Sequence, residues 1–396
     1  MKWPVVSLSD ALASAEVFVD GDWVESKDQD PEGDVRLVQL ADVGDGEYID
    51  KSDRFLTSVK ARELRCTYLK PGDVMVARMP DPLGRACIFP GDLKPAVTVV
   101  DVCVIRPDDR EHDARWLMHC LNAPACRNQI AGYATGTTRS RISRGNLGKI
   151  KIPLPPLAEQ LRIAEVLDRA EALRAKRRAA LTQLDSLTQS LFLDLFGNPI
   201  HNERKWPRAE LREMCRVERG KFTPRPRGDP SYYGGRFPFI QTGDISSSGG
   251  RLNTWSQTLN EKGVTVSRSF PPDTVVIAIV GATLGITAIL DIEVYCPDSV
   301  VGIQAHASKA SPEYIERVLR FWRPIFVAQA PETARANINL ETLRPLKVPR
   351  PPIELQREFA RRVGAVEKLK TAQRTSLAEL NALFASLQHR AFRGEL

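Results

Sequence analysis

The chain has 396 residues, 42% of them hydrophobic, and a formal net charge of +7. That length suits two or three domains. The most apolar run, Val275–Leu290, is interrupted by Gly281, Thr283, Gly285 and Thr287; it falls short of the ~20 apolar residues that span a bilayer and reads as buried strand. Seven cysteines (Cys66, Cys87, Cys103, Cys120, Cys126, Cys215 and Cys296) make an odd number with no C-x-x-C pair, which argues against a disulfide framework and a zinc site. Asp10, Glu16, Asp20 and Asp22 follow soon after Lys2, so no signal peptide is visible, and the expectation is a reduced cytoplasmic protein without a membrane partner.

In chain order, short Val/Ile/aromatic runs broken by Gly, Pro, Asn and Asp predict strands at Asp34–Leu40, Asp73–Arg78 and Pro95–Ile105. A helix is expected over Ala114–Leu121, then a proline-rich joint at Pro153–Pro156 that halts any strand. Leu157–Phe196 follows, rich in Ala, Leu, Glu, Gln, Lys and Arg and free of Pro, and reads as one long helix. Gly197 stops it. The pattern then recurs, with strands at Arg236–Gln241 and Thr274–Ile279, a helix over Pro312–Trp322, and a second long helix over Ile353–Phe392. Charge is uneven along this path. Residues 1–60 carry six Lys/Arg against fourteen Asp/Glu, whereas residues 201–236 carry ten against five, the concentration a phosphate-tracking face requires.

The recurrence is a duplication. Lys2-Trp3-Pro4 returns as Lys205-Trp206-Pro207, Leu37-Val38-Gln39 as Phe239-Ile240-Gln241, Pro71 and Asp73 as Pro271 and Asp273, and Lys151–Pro156 as Lys347–Pro352. Gln160 matches Gln356, and Phe196 matches Phe392. Order is kept throughout. In the long segments, Ile163, Leu167, Ala170, Leu173, Leu181, Leu184, Leu187, Leu191 and Leu195 have helical spacing. So do Phe359, Val363, Val366, Leu369, Leu377, Leu380, Leu383, Phe384 and Leu387. About 36 residues make a rod of roughly 54 Å, longer than a domain of this size can cover. The favoured arrangement is a projecting antiparallel pair of helices with approximate two-fold symmetry; the alternative is each helix packed on its own domain.

No catalytic constellation is present. Gly145–Ile150 lacks the spacing and hydroxyl of a phosphate loop, and Asn198-Pro199-Ile200-His201 lacks the second proline and the aromatic of an amino-methyltransferase motif. Pro297-Asp298 has no suitably placed acid and lysine after it for a nuclease, and His112, His119, His201, His306 and His389 have no metal-ligand spacing.

Gly136-Thr137-Thr138-Arg139-Ser140-Arg141-Ile142-Ser143, with Leu147 and then Ile152–Gln160, closely resembles the end of a target-recognition domain in the specificity (S) subunits of type I restriction-modification systems. Leu195–Pro199 leading to Trp206 looks like that family's inter-repeat joint, Gly220–Pro224 with Tyr232–Ile240 like the start of its recognition domain, and Ala391–Leu396 like its usual C-terminus. Copy one departs between Val5 and Val35, where acidic Glu16–Asp34 replaces the Gly-Lys-x-Thr-Pro stretch. The resemblance implies an α+β chain: two β-rich target-recognition domains (1–152 and 198–348) separated by two long antiparallel spacer helices (153–197 and 349–396) forming a pseudo-two-fold coiled coil. It implies a non-catalytic subunit that reads a bipartite DNA duplex and docks two methyltransferase subunits. S-adenosylmethionine, ATP and magnesium would sit on partner subunits, with two ATP-dependent restriction subunits completing the enzyme. A methyltransferase-only system and a coiled-coil scaffold that does not bind DNA remain open alternatives.

The candidate DNA contacts in copy two are Lys221, Thr223, Arg225, Arg227, Tyr232 and Tyr233. Copy one offers Arg78, Arg85, Thr137, Arg139 and Arg141, and Arg335 and Asn337 are the copy-two counterparts of the last two. Each could instead be a solvated surface residue, and the tyrosines half-buried strand aromatics. The candidate partner-binding positions on the helices are Leu167, Leu181, Leu184, Leu191, Val363, Leu377, Leu380 and Leu387.

Overall fold

Val74-Met75-Val76-Ala77 and Val275-Val276-Ile277-Ala278 are apolar at every position because both faces of their strands are covered. Odd and even residues serve different cores. Val74 and Val76 join Cys103, Ile105 and Ala86 on one face, while Met75 and Ala77 join Cys87, Val102 and Val104 on the other, the two-residue alternation of a pleated sheet. Val275 and Ile277 likewise pack with Ile289, Val301 and Ile303, and Val276 and Ala278 with Ala288, Leu290 and Val300.

These strands are central to two units in a computed structural model that describes residues 3–80, 82–136, 139–329 and 338–396. The first unit is Met1–Arg178 with Thr375–Leu396, and the second is Ala179–Arg374. In the first, an antiparallel sheet has the order Val17–Asp20, Val102–Arg106, Val74–Ala77, Ala86–Ile88, and a mixed sheet the order Phe55–Leu56, Val35–Val38, Ala96–Thr98. In the second, the same plan reads Cys215–Arg219, Val300–Ala305, Val275–Ala278, Thr287–Leu290, with Arg251–Leu252 added at the edge. Its companion sheet is Gln257–Leu259, Tyr233–Phe239, Val294–Cys296, Arg268–Phe270. A separate strand pair closes each unit, Val5–Ser7 with Lys151–Pro153 and Arg208–Glu210 with Lys347–Pro349. The duplication seen in sequence is thus a duplication of topology, and the fold is α+β.

The expected strands form, except that Pro95–Ile105 divides into Ala96–Thr98 and Val102–Arg106 in different sheets; both reader helices form, as Ala114–Asn122 and Pro312–Ala328. The apolar run Val275–Leu290 becomes two strands joined by a turn at Gly281 and Gly285, both at positive φ. A helix over Pro124–Gly132 was not foreseen; Pro124 starts it in copy one, while copy two continues a single helix through Pro324.

The long helices are Leu157–Phe196 and Ile353–Arg393. Gly197, at φ 74°, ends the first, its N–H bonded to the Leu193 carbonyl at 2.8 Å. Each helix is divided between the units, and in each unit the two pieces run antiparallel. In the first, Arg162 reaches the Leu396 carbonyl and Arg174 reaches Asn381; in the second, Asp185 pairs with Lys370 at 2.7 Å, and Phe192 meets Phe359. Their ends do not simply project. Ile163, Ala164 and Leu167 share the first core with Ala391 and Phe392, and Phe359 and Val363 share the second with Phe192 and Phe196. Packing on the helix's own domain and pairing with the other helix therefore both occur. A buried amide locks each helix start. Gln160 accepts from Asp113 N–H at 3.0 Å and donates to the Glu111 and Pro155 carbonyls. Gln356 accepts from Ser311 N–H at 3.1 Å and donates to the Lys309 and Pro351 carbonyls.

Candidate nucleic-acid interface

In the second unit, Gly220 N–H bonds to the Val300 carbonyl and Lys221 N–H to the Cys296 carbonyl, carrying the chain from one sheet to the other. Phe222 then plugs a small core with Phe239 and Leu259, which leaves Thr223 and residues 225–228 exposed as a loop. Three arginines converge on one residue beside it. Arg227 pairs with Asp298 Oδ1, Arg225 lies 3.3 Å from Asp298 Oδ2, and Arg219 Nε donates to the Asp298 carbonyl at 2.5 Å. Arg268 donates to the Arg219 carbonyl at 2.7 Å. Lys221 is exposed, and Lys262 stands 4.2 Å from the Tyr232 ring. The result is a basic surface with aromatic backing, the chemistry that suits a phosphate backbone with bases beside it.

Tyr232 and Tyr233 are half-buried against Phe222, in line with the strand-aromatic alternative. Tyr233 also donates its hydroxyl to the Arg227 carbonyl at 2.6 Å, and burial raises its pKa. Arg225 donates to the Phe222 and Pro224 carbonyls as well as to Asp298, so it braces its own loop.

The first unit builds the same crossing with opposite charge. Gly21 N–H bonds to the Val102 carbonyl and Asp22 N–H to the Thr98 carbonyl, which puts Asp22 where the second unit has Lys221. The Asp22 carboxylate accepts from Thr67 N–H at 3.0 Å, and burial pushes its pKa up to about 6. Basic candidates lie instead around Thr135–Arg141, which pair as an isolated bridge with bonds of 2.9 and 2.8 Å. Arg139 is exposed, and half-buried Arg141 is 3.2 Å from Asp101. Thr137, Arg335 and Asn337 lie outside the described residues.

Four assignments are corrected. Arg78 is 5% exposed; it bonds to the Ile142 and Val100 carbonyls and pairs with Asp20, so it holds the base of the 135–141 loop rather than reaching out. Arg85 is buried and caps the Val43, Met79, Pro82 and Leu40 carbonyls. A guanidinium whose donors satisfy buried carbonyls cannot leave them for a base without orphaning them. Leu167 and Val363 are core residues of their own units and present nothing to a partner. Leu181, Leu184, Leu191, Leu377, Leu380 and Leu387 are half-buried, whereas Leu173, Leu187, Leu369 and Leu383 of the same stripes are exposed.

Asp298, Arg219, Lys262 and Arg268 were missed. Asp298 meets its arginines across 71 to 79 residues of chain, and no local pattern announces such a pairing. Among the described residues no cluster of His, Cys, Asp and Glu is arranged to hold a metal, and no helix is long and apolar enough to cross a membrane.

A duplicated α+β frame with two long helices is the architecture the sequence resemblance implied. The family model of the type I restriction modification DNA specificity domain matches residues 16–183 and again 203–382, and the chain belongs to that family. It is 28% identical over 346 residues to the type I restriction enzyme EcoBI specificity subunit of Escherichia coli, covering 76% of this chain and 70% of that one. It is 20% identical over 382 residues to a putative type I restriction enzyme specificity subunit, MjaX, of Methanocaldococcus jannaschii, covering 93% and 87%. The S subunit of a type I restriction-modification system from M. genitalium has a similar fold, with a TM-score of 0.60 at 15% identity over 99% of this chain and 96% of that one. The protein is accordingly a specificity subunit of the type I restriction-modification class.

Proposed function

We propose that each unit reads one half of an interrupted duplex DNA site, and that the long helices act as spacer and as dock for two methyltransferase subunits. The chain itself catalyses nothing in this reading. S-adenosylmethionine for adenine-N6 methylation, and ATP and magnesium for any restriction subunits, belong to the partners. The observation that carries the reading is the matched crossing, one frame presenting Lys221 in one unit and Asp22 in the other. Two readers of different chemistry on a shared spacer suit an asymmetric, interrupted target.

The helices support two like docks. Leu173 and Leu383 are exposed beside the Arg174–Asn381 contact of the first unit. Leu369 and Leu187, their counterparts in the repeat, are exposed beside the Lys370–Asp185 pair of the second. A surface present twice suits a partner present twice.

The spacer role is tested by inserting four residues after Ala180 and four after Ser376, near where each helix passes from one unit to the other. Each rod gains about 6 Å with its stripe nearly in phase, so the methylated motif of cells carrying the complete gene set should gain one or two base pairs of unread gap at about 3.4 Å each. The half-sites should keep their bases. A retained gap with activity intact would remove the spacer role. A chain that, with its methyltransferase subunits, binds no duplex at low or high salt would leave a coiled-coil scaffold instead.

A further inference from the structure

The four basic side chains around Asp298 are not equivalent. Arg225 is held at both ends of its guanidinium, with Nη1 on the Phe222 and Pro224 carbonyls and Nη2 on Asp298. Arg219 and Arg268 are tied to backbone carbonyls. Arg227 differs. Its Nη2 rests on Asp298 and its own carbonyl accepts from the Tyr233 hydroxyl, while Nε and Nη1 have no partner among the described residues. It is 50% exposed, on a side chain fixed from one side by a carboxylate that is 29% exposed.

A flexible arginine gives up rotamer freedom on binding and contacts whatever acceptor is near. One braced by a carboxylate through a single Nη2 hydrogen is partly preorganised, and its second Nη2 hydrogen, together with Nε or with Nη1, forms the two-donor edge that two-acceptor recognition requires. We propose that Arg227 is a base-reading residue of the second unit and that Asp298 is its positioning residue, with Tyr233 fixing the backbone beneath it. The inference rests on the DNA-reading function proposed above. A guanine edge, with its N7 and O6 acceptors in the major groove, is the ligand a fixed guanidinium fits best. Arg225 then braces the loop and contributes no base discrimination of its own.

The test uses the full chain with its methyltransferase partners, titrated against its mapped cognate duplex, single-base variants of it, and random duplex, at two salt concentrations. Asp298→Ala should lower discrimination at one position of one half-site about tenfold or more. Binding to random duplex should hold or tighten, because a negative charge is lost beside the phosphates. Asp298→Glu should recover part of the discrimination, and Tyr233→Phe should lose less than Asp298→Ala. Arg227→Ala should abolish discrimination at the same position, and adding Asp298→Ala to it should change nothing further, the non-additivity expected of one unit. Equal losses on cognate and random duplex, or full discrimination in Asp298→Ala, would overturn the assignment. Should Asp298→Ala unfold the loop, Asp298→Asn, which keeps the shape but replaces the charge-assisted bond with a neutral one, should lose a smaller part of the discrimination at the same position. A wild-type complex with no base discrimination at all would instead defeat the DNA-reading function on which the inference rests.

Discussion

The two crossings at Gly21 and Gly220 separate what the repeat must keep from what it may change. At both, a Cβ would stand 2.2 Å from a carbonyl oxygen, that of Val99 or of Pro297. At both, the glycine N–H and the next N–H bond across to matching strands. The residue after the glycine is then Asp in one unit and Lys in the other. A backbone approach too close for any side chain fixes the frame, and the next side chain, outside that contact, is free to change sign. Divergence of the readers therefore leaves the backbone frame intact.

The helix ends sharpen the same contrast and give the largest expected effect. In the second unit Phe192 touches Phe196, Tyr314, Phe321 and Phe359. Its counterpart in the repeat is Gln388, which donates to the His119 carbonyl at 3.3 Å. Phe192→Ala should cost the second unit about 3–5 kcal/mol, and Gln388→Ala the first about 1 kcal/mol. Hydrogen exchange of central-strand amides reads each unit separately; equal losses would mean the aromatic cluster is not what holds that helix end.

Next come the features the units share. Gly21→Ala and Gly220→Ala should each destabilise their own unit by about 3 kcal/mol, since the obstacle is backbone and cannot swing away. A smaller loss, about 2 kcal/mol each, is expected for Gln160→Ala and Gln356→Ala, which orphan a buried helix-cap N–H and two carbonyls. Within each pair the two losses should match. A twofold disparity in either pair would break the claim that the frame is common.

Legibility followed the range of the interaction. The long helices were readable nearly to the residue because Pro155-Pro156, Gly197 and Pro351-Pro352 bound them locally. The strand Val74–Ala77 was equally plain, being apolar throughout. Arg78 and Arg85 misled because sequence counts a charge without knowing that buried carbonyls consume its donors. Leu167 and Val363 misled because a helical stripe does not say which neighbour covers it. The site's organiser, Asp298, was considered only as part of a nuclease motif, since its partners are distant in sequence and close only in the fold.

A pH-dependent effect isolates Asp22 itself. Its folded pKa, about 6, lies above its ordinary value of 3.8 because burial penalises the carboxylate. Between those two values the folded first unit holds a proton that the unfolded chain releases. Its contribution to stability is therefore greatest below about pH 4 and declines as pH rises to about 6, beyond which the full penalty is present. Asp22→Asn keeps an acceptor for Thr67 N–H and carries no charge, so it should be more stable than wild type at pH 7.5. The gap should shrink steadily toward pH 4. Lys221→Met in the second unit should show no such closing gap, because no burial-shifted carboxylate occupies that crossing. The measurement is exchange protection of first-unit strand amides at pH 4, 5, 6 and 7.5. A wild-type first unit that gains stability relative to Asp22→Asn as pH rises would show that the Thr67 bond outweighs burial, and that the acidic crossing stabilises the frame it shares with Lys221.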